Sequence, residues 1–448
     1  MTQSLQDLTD ALLTAARKAG ADTADAIALR GTALNVDVRA GTLEQAERSE
    51  ATDFGLRVLV GRRQASVSAS DTRPETLATL AERAVAMARE APEDPYAGLA
   101  DPAQLARDTD ATALELADPA DEPDPANLQA RAEAAEAAAQ AIKGVSQVQS
   151  ASASYSARDV HIAASNGFAA GYRRTGTSLS CVAIAGEGLG MERDYDGDSR
   201  TFAADLRSAE EIGTTAGTRA IERLDPRKPP TGTYPVLFDE RIAASLVGHL
   251  LAAVSGAAIA RGSSFLRDAL GEQVLPQALS LIEDPHRPRA TATRPFDAEG
   301  LPTRRRAIVE NGVLTGWTLD LANARKLGLE STANAVRGTS APPSPSNWNI
   351  ALTQGTKSRA ELVSDMGTGL LVTSLIGSTI NPNTGDYSRG ASGLWVENGE
   401  ITHAVNEVTI AGNLRDMLLR IIPGNDARPH LSRVVPSLLL EGMTLAGT

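Results

Sequence analysis

The chain has 448 residues, with 56 acidic and 43 basic side chains and a formal net charge of -13 at pH 7. Its length is too great for one small core and predicts two or three domains. The acidic balance disfavours a protein that binds the phosphate backbone of nucleic acids. The single cysteine, Cys181, excludes an internal disulfide and a thiolate zinc cluster, which suits a reducing cytoplasm.

The N-terminus predicts a helix and not an export signal. Asp7 and Asp10 lie where a signal peptide would carry its apolar core, so we expect a cytoplasmic protein. Ser4 and Asp7 resemble a capping box, and Gly20 is expected to end the helix.

The segments that follow predict an N-terminal α/β domain over residues 1–225, with a mixed or antiparallel sheet and flanking helices. Alternating apolar residues separated by glycines indicate strands, and Asn166-Gly167 indicates a hairpin. Capping signals and apolar periodicity place further helices at about 74–89, 128–143 and 208–224. The Pro- and Asp-rich residues 91–126 are expected to be an exposed connection, which allows two sub-lobes at 1–100 and 125–225.

A domain boundary is predicted at residues 225–235, DPRKPPTGTYP, where four prolines surround Gly232. The C-terminal domain therefore covers residues 232–448. We expect it to be β-rich, because two Asn-Gly pairs, Asn311-Gly312 and Asn398-Gly399, are typical of type I′ hairpin turns.

The C-terminal domain is predicted to surround a buried helix within residues 236–266. No charge lies between Arg241 and Arg261, and Asp239 and Gly262 are expected near its two ends. One face carries Ile242, Leu246, Leu250 and Val254. The opposite face carries the small residues Ala244, Gly248, Ala252 and Ser255. The run is too rich in alanine and polar residues to favour a membrane span. Together these elements predict an α+β fold, with a curved and mainly antiparallel sheet around this helix.

The sequence offers no local metal or nucleophile motif. No two of the five histidines lie within five residues of each other, which removes every local zinc motif. His249 lies on the central helix, but a helical histidine without a partner is more often a packed core residue. No G-x-S-x-G elbow is present, and Cys181 lies in an apolar strand, where a buried, inert thiol is expected.

Residues 381–393, NPNTGDYSRGASG, predict a loop of fixed shape with an ion pair between Asp386 and Arg389. Two interpretations remain open. The loop is either structural, with polar groups that satisfy one another, or it lines a peptide cleft and presents Arg389 to an extended chain. In the second case the candidate cleft residues are Asn381, Asn383, Asp386 and Arg389.

Several segments of the chain resemble the TldD/TldE family of bacterial and archaeal metallopeptidases, in particular its TldE (PmbA) branch. In the C-terminal half these are VLFDERIAASLVGHLLAAVSGAAIARGSSFL, LPTRRRAIVENGVLTGWTLD, INPNTGDYSRGASGLWVENGEI and VTIAGNLRDML. In the N-terminal half RAGTLEQAERSEATDFGLRVLVG and SNGFAAGYRRTGTSLS also fit. The resemblance therefore covers nearly the whole chain.

The resemblance implies that the metal site is degenerate in this chain. Catalytic TldD-type subunits hold zinc with an HExxxH motif on the central helix and a C-terminal cysteine. Matching Gly248-His249 to the end of that motif places Ala244 at the first histidine and Ser245 at the glutamate. An alanine methyl does not coordinate a metal, a serine hydroxyl is a poor general base, and the C-terminal half has no cysteine. We therefore expect no catalytic residue, metal or cofactor in this chain, and zinc in a partner subunit.

The resemblance further implies a non-catalytic subunit that forms a heterodimer with a TldD-type subunit. In this family such complexes hydrolyse peptides, including unfolded or small substrates, and act in the maturation of peptide antibiotics. Two alternatives remain open: a homodimer that binds peptides or unfolded proteins without a catalytic partner, and an independent hydrolase with an unrecognised site. Neither nucleic acid nor a membrane is an expected partner.

Overall fold

The computed structural model describes residues 3–447, apart from the side chain of Ser378. The N-terminal half contains six strands: β1 Thr23–Arg39, β2 Thr42–Val60, β3 Arg63–Ala69, β4 Val145–Ala164, β5 Ala169–Ala185 and β6 Glu192–Arg200. They form one antiparallel sheet in the order β3-β2-β1-β4-β5-β6. The predicted antiparallel sheet is therefore continuous through both expected sub-lobes.

Four helices cover one face of this sheet: α1 Leu5–Ala19, α2 Pro74–Glu90, α3 Pro125–Gln140 and α4 Ala209–Glu222. Side chains of β1 at even positions point to this face. Ala24 and Ala28 pack with α1 and α2, whereas Leu34 and Val38 pack with α3 and α4. Both helix pairs thus share β1. The predicted capping box of Ser4 and Asp7 is confirmed at the start of α1.

The other face of the sheet contacts the C-terminal half. Ile27, which points away from the four helices, lies in a cluster with Phe168 and Phe296. The rings of Phe168 and Phe296 meet edge to face, with centroids 5.1 Å apart. An apolar contact therefore joins the two halves of the chain.

The connection between α2 and α3 is less exposed than predicted. Ala100 and Leu116 are buried, and the connection contains two short 3-10 turns, Pro102–Gln104 and Thr112–Leu114. The guanidinium of Arg325, from the C-terminal half, donates hydrogen bonds to the carbonyls of Tyr96 (3.0 Å) and Leu99 (2.6 Å). These tertiary bonds satisfy backbone groups that the composition alone would leave to solvent.

The C-terminal half contains five helices and thirteen strands within the described residues. The helices are α5 Glu240–Ala253, α6 Gly256–Arg261, α7 Leu321–Leu327, α8 Arg359–Asp365 and α9 Leu414–Leu418. The strands are β7 Gly232–Phe238, β8 Leu281–Glu283, β9 Arg306–Glu310, β10 Val313–Leu314, β11 Ala335–Val336, β12 Ser344–Pro345, β13 Ile350–Leu352, β14 Gly369–Ile380, β15 Asp386–Glu397, β16 Glu400–Asn413, β17 Ile422–Pro423, β18 Arg433–Val434 and β19 Leu438–Ala446.

The main C-terminal sheet has the order β16-β15-β14-β7-β19-β17 and curls until β16 also pairs with β19. Only β14 and β7 are parallel neighbours in it. The smaller sheet has the order β10-β9-β8-β13-β18. Helix α5 packs against one face of the main sheet, with Leu246 and Leu250 in the same core cluster as Phe238. The predicted α+β fold, with a curved sheet around a central helix, is confirmed.

The two hairpin turns of the C-terminal half also form as predicted. Asn311 and Gly312 have φ values of 49° and 83°, and Asn398 and Gly399 have values of 54° and 79°. Positive φ at both central residues is what a type I′ turn requires.

The predicted central helix is two helices, because the helical hydrogen bonds are interrupted between α5 and α6. The Gly256 N–H donates to the Thr318 carbonyl at 2.8 Å, and the Thr318 N–H donates to the Val254 carbonyl at 3.0 Å. This backbone pairing with a distant segment replaces the helical bonds at that point. Gly262 ends α6 in the left-handed conformation, with φ 70°.

Within the described residues, no helix combines the length and the apolar character that crossing a bilayer requires. We keep the division of the chain at residues 225–232 into two domains as a proposal.

Candidate functional site

Buried ion pairs fix the first turn of α5. The Asp239 carboxylate accepts a hydrogen bond from the backbone N–H of Arg241 at 3.1 Å and so caps the helix, as predicted. The same carboxylate pairs with the guanidinium groups of Arg241 at 3.2 Å and Arg359 at 3.1 Å. Arg241 also reaches Asp194 on β6 at 3.0 Å. The helix is therefore held by the N-terminal sheet as well as by its own half of the chain.

A further ion pair joins the start of α5 to the segment before β18. The Glu240 carboxylate lies 2.8 Å from the guanidinium of Arg428. Burial raises the pKa of Glu240, while the charge of Arg428 opposes that rise. With charged partners on several sides, the helix has a fixed orientation, and so have the side chains on its next turns.

The aligned positions Ala244, Ser245 and His249 lie on one half-buried face of α5. The Ser245 hydroxyl oxygen and the His249 Nε2 are shielded from solvent and have no hydrogen-bond partner among the described residues. Leaving such an atom unpaired costs about 1–3 kcal/mol. This face of the helix is therefore a candidate for contact with a bound molecule.

Tyr387 and Arg389 reach the same place from β15. The Tyr387 ring meets the edge of the His249 ring, with centroids 5.9 Å apart. Tyr387 is only 2% exposed; its hydroxyl has no hydrogen bond of normal geometry with a described residue, but the Arg389 guanidinium lies close enough to interact with it. Arg389 follows two residues later on the same face of the strand, and its Nε donates to the Gly377 carbonyl at 2.8 Å.

Burial and the charge of Arg389 set the protonation of this site. Burial lowers the pKa of His249, and the Arg389 charge lowers it further, so the imidazole is neutral at pH 7. Burial raises the pKa of Tyr387 to about 12, against the opposing influence of Arg389. The hydroxyl therefore keeps its proton and is able to donate a hydrogen bond.

Arg433 on β18 completes the surroundings of α5. A Cβ atom added to Gly248 would lie 3.3 Å from a guanidinium nitrogen of Arg433, so this side chain lies across the helix where Gly248 leaves room. Arg433 is exposed, and its guanidinium has no hydrogen bond or ion pair with any described residue. The small residue on the helix thus allows a positive charge to approach.

The residues predicted for a peptide cleft divide into two groups. Arg389 lies near His249, whereas no described contact joins Asn381, Asn383 or Asp386 to that histidine. The Asn381 Oδ1 accepts from the Asn383 N–H at 3.0 Å, and the Asp386 carboxylate accepts from the hydroxyl of Thr384 at 2.6 Å. These groups satisfy one another locally, and a part in substrate binding stays a prediction for them.

The predicted ion pair between Asp386 and Arg389 is wrong. The loop ends at Gly385, and residues from Asp386 onward belong to β15. Residues three apart on a strand point to opposite faces, so the two side chains diverge. The sequence reasoning missed Tyr387 for the same reason. The alternation of Tyr387, Arg389 and Ala391 on one strand face is the signal that could have identified it.

The side chains around His249 do not fit a zinc ion. Zinc sites in proteins use three or four nitrogen, sulfur or carboxylate ligands. Here one imidazole is accompanied by the hydroxyls of Ser245 and Tyr387 and by the guanidinium of Arg389, which repels a cation. Throughout residues 3–447, no three His, Cys, Asp or Glu side chains are grouped closely enough to hold a metal ion.

Three domain models of one family match the chain. They are the PmbA/TldA metallopeptidase domain 1 at residues 24–88, the central domain at residues 118–224 and the C-terminal domain at residues 231–447. The chain is also similar to the metalloprotease PmbA of Escherichia coli O157:H7, with 41% identity over 429 residues, 95% of this chain and 92% of that protein.

Solved structures show the same fold. A protein of Bacteroides thetaiotaomicron, described as a candidate modulator of DNA gyrase, superposes with a TM-score of 0.90 at 27% identity and covers 100% of both chains. TldE from Thermococcus kodakarensis superposes with a TM-score of 0.85 at 22% identity, over 98% of this chain and 100% of that chain. The second likeness concerns the fold alone.

Proposed function

The chain belongs to the PmbA/TldD metallopeptidase family, and from that premise we propose that it is a non-catalytic subunit of the TldE/PmbA type. It would complete the peptide cleft of a TldD-type partner that carries the zinc. The observation that carries the proposal is the set of side chains on α5, where Ala244, Ser245 and His249 provide a single imidazole.

Peptide hydrolysis by a zinc enzyme needs a metal that polarises the carbonyl and a carboxylate that takes a proton from water. Ala244 has no donor atom, and the hydroxyl of Ser245 has too high a pKa to act as that base. The neutral imidazole of His249 has the cationic Arg389 beside it in place of a second ligand. No hydrolytic step follows from these groups.

The role left to this chain is to shape the cleft and support the partner. The ion pairs of Asp239 and Arg241 fix α5, and strand β15 places Arg389 beside it. An extended peptide is recognised through backbone hydrogen bonds and a few side-chain contacts, which a fixed helix and strand provide. We propose peptides or unfolded proteins as ligands, a TldD-type heterodimer as the assembly, zinc in the partner only, and a cytoplasmic location.

The proposal is tested by reconstitution with the TldD-type subunit of the same host. The purified chain alone should contain no stoichiometric zinc by mass spectrometry and should cleave no peptide. The mixture should hydrolyse peptides more than the partner alone does, and a chelator should abolish that activity. Chelator-sensitive hydrolysis by this chain alone would overturn the proposal. Peptide binding by a homodimer, with no partner recovered on co-purification, would favour the alternative of a peptide-binding protein without a catalytic partner.

A further inference from the structure

The position that corresponds to a metal site carries positive charge in this chain. Arg389 approaches His249 from β15, and Arg433 lies across α5 at Gly248. Neither guanidinium forms an ion pair with a carboxylate of the described residues, although the chain has 56 acidic side chains and a net charge of -13. Two unpaired arginines beside one helix face, in an acidic protein, indicate a site for an anion.

Beside these arginines lie three polar atoms that are able to donate hydrogen bonds. The Ser245 hydroxyl and the His249 Nε2 are buried without partners among the described residues, and the buried Tyr387 hydroxyl has only the Arg389 guanidinium near it. Ser245 and His249 are one turn apart on α5, and the rings of His249 and Tyr387 are in contact. The cluster therefore combines two guanidinium cations with neutral hydrogen-bond donors. No carboxylate of the described residues is paired with either cation.

The two kinds of group differ in their exposure. Arg433 is exposed and Arg389 is half-buried, whereas the polar atoms of Ser245, His249 and Tyr387 are shielded from solvent. An arriving anion thus meets the guanidinium groups first. The Nε of Arg389 already donates to Gly377, which holds the side chain in place with its guanidinium beside the Tyr387 hydroxyl. A guanidinium held in this way is suited to a planar, two-oxygen ligand.

We propose that this α5–β15 cluster, formed by Ser245, His249, Tyr387, Arg389 and Arg433, binds a carboxylate group of a peptide. Arg389 and Arg433 hold the charge, and the hydroxyls and the imidazole donate hydrogen bonds to the oxygens. That the ligand is a peptide rests on the proposed function. The carboxylate belongs either to the C-terminus of the peptide or to an Asp or Glu side chain, and the experiment separates these two sources.

The test measures binding to the full-length chain, without a partner and without hydrolysis. A fluorescent unfolded peptide is compared by anisotropy in three forms. The first has a free C-terminus, the second is the same sequence with an amidated C-terminus, and the third has a free C-terminus with every Asp and Glu replaced by Asn and Gln. Loss of one charge-assisted contact should raise the Kd by about tenfold or more. A higher Kd for the amidated peptide identifies the terminal carboxylate as the bound group. A higher Kd for the third form identifies an Asp or Glu side chain.

Variants connect this effect to the cluster. Arg433→Gln removes a charge that has no described partner in the fold, so folding should be unaffected, and binding of the preferred form should fall about tenfold. Arg389→Gln should act in the same way, and thermal unfolding shows whether the bond to Gly377 is kept. Arg420→Gln, at another exposed arginine of the C-terminal half, is the matched control and should leave the Kd unchanged.

The proposal would be overturned if the three peptide forms had equal Kd values or if none of them bound. It would also be overturned if Arg420→Gln weakened peptide binding as much as the cluster variants do. The outcome is separate from that of the proposed function. A carboxylate preference is measured on this chain alone, whereas the subunit role is decided by zinc content and by activity with the partner.

Discussion

Arg241, on the first turn of α5, lies 3.0 Å from Asp194 on β6, and the two side chains are 9% and 6% exposed. This ion pair crosses from one half of the chain to the other and joins the pair of Arg241 with Asp239. Because both partners are buried, removing Arg241 leaves the Asp194 charge with only the longer pair to Arg223, at 3.8 Å. The orientation of the candidate site thus depends on a contact outside it.

Arg241→Met is therefore expected to destabilise the chain by about 3–5 kcal/mol. All three tryptophans, Trp317, Trp348 and Trp395, lie in the C-terminal half, so urea unfolding followed by their fluorescence reports on the half that contains α5. The control is Arg173→Ala, which breaks the exposed pair with Asp159 and should cost at most about 1 kcal/mol. A similar decrease in the free energy of unfolding for the two variants would show that the buried pair contributes no more stability than the exposed one.

A pair of carboxyl groups near the junction of the two halves predicts a pH dependence. Burial raises the pKa of Asp297 to about 7. Hydrogen bonds from the backbone N–H groups of Glu299, Leu301 and Ala335, at 2.9 to 3.1 Å, oppose that rise. Glu299 accepts one, from Leu321. Burial, and then the neighbouring charge of Asp297, raise the pKa of Glu299 to about 8.

Glu299 therefore keeps its proton in the folded chain at pH values where the unfolded chain has lost it. Its contribution to stability is complete below the ordinary pKa of 4.5 and is lost as the pH rises towards 8. Glu299→Gln should match the natural chain in stability at pH 4, below that ordinary pKa. At pH 8.5 it should be more stable by about 1–2 kcal/mol, a reduced value because Glu299 lines a cavity of about 460 Å³ that admits water. Unfolding midpoints at the two pH values check this, and a difference independent of pH would refute it.

The break between α5 and α6 makes Gly256 sensitive to substitution. A Cβ there would lie 2.6 Å from the Leu319 side chain and 2.9 Å from the Thr318 carbonyl. Gly256→Ala should cost about 1–3 kcal/mol, because it pushes apart the backbone pairing that replaces the helical bonds. Gly248→Ala meets only the end of the Arg433 side chain, which is able to move, and should change stability by less than about 1 kcal/mol. Thermal unfolding of the two variants tests the comparison, and the reverse order would contradict it.

The electrostatic influence of Arg389 on His249 is directly measurable. Arg389→Gln removes the charge that lowers the histidine pKa, so this pKa should rise towards the ordinary value of 6.5, while burial keeps it below that value. Titration of the histidine ring protons by NMR follows the change, with Arg420→Gln as the control. An unchanged His249 pKa in the Arg389 variant would place the guanidinium too far away to act on a ligand at this position.

Features set by neighbours in sequence were predictable, and those set by distant contacts were not. The caps at Ser4 and Asp239 and the turn at Asn398-Gly399 depend on local chemistry, and all three form. The end of α5 depends on pairing with Thr318, which no periodicity within the helix reveals. Likewise, the glycines after Asp386 indicated a loop, but pairing with β14 and β16 makes that segment a strand and brings Tyr387 to His249.

The pairing of β1 with β4 has a consequence for how the chain is made. Asp25 aligns with Ala164 and Val38 with Ala151. During synthesis, β1 therefore leaves the ribosome long before its partner β4. Until β4 emerges, the hairpin of β1 and β2 presents an open edge, which invites pairing with other chains. Folding that depends on contacts so far apart in sequence is slow, and a fragment that ends before Val145 should aggregate instead of forming the first lobe by itself.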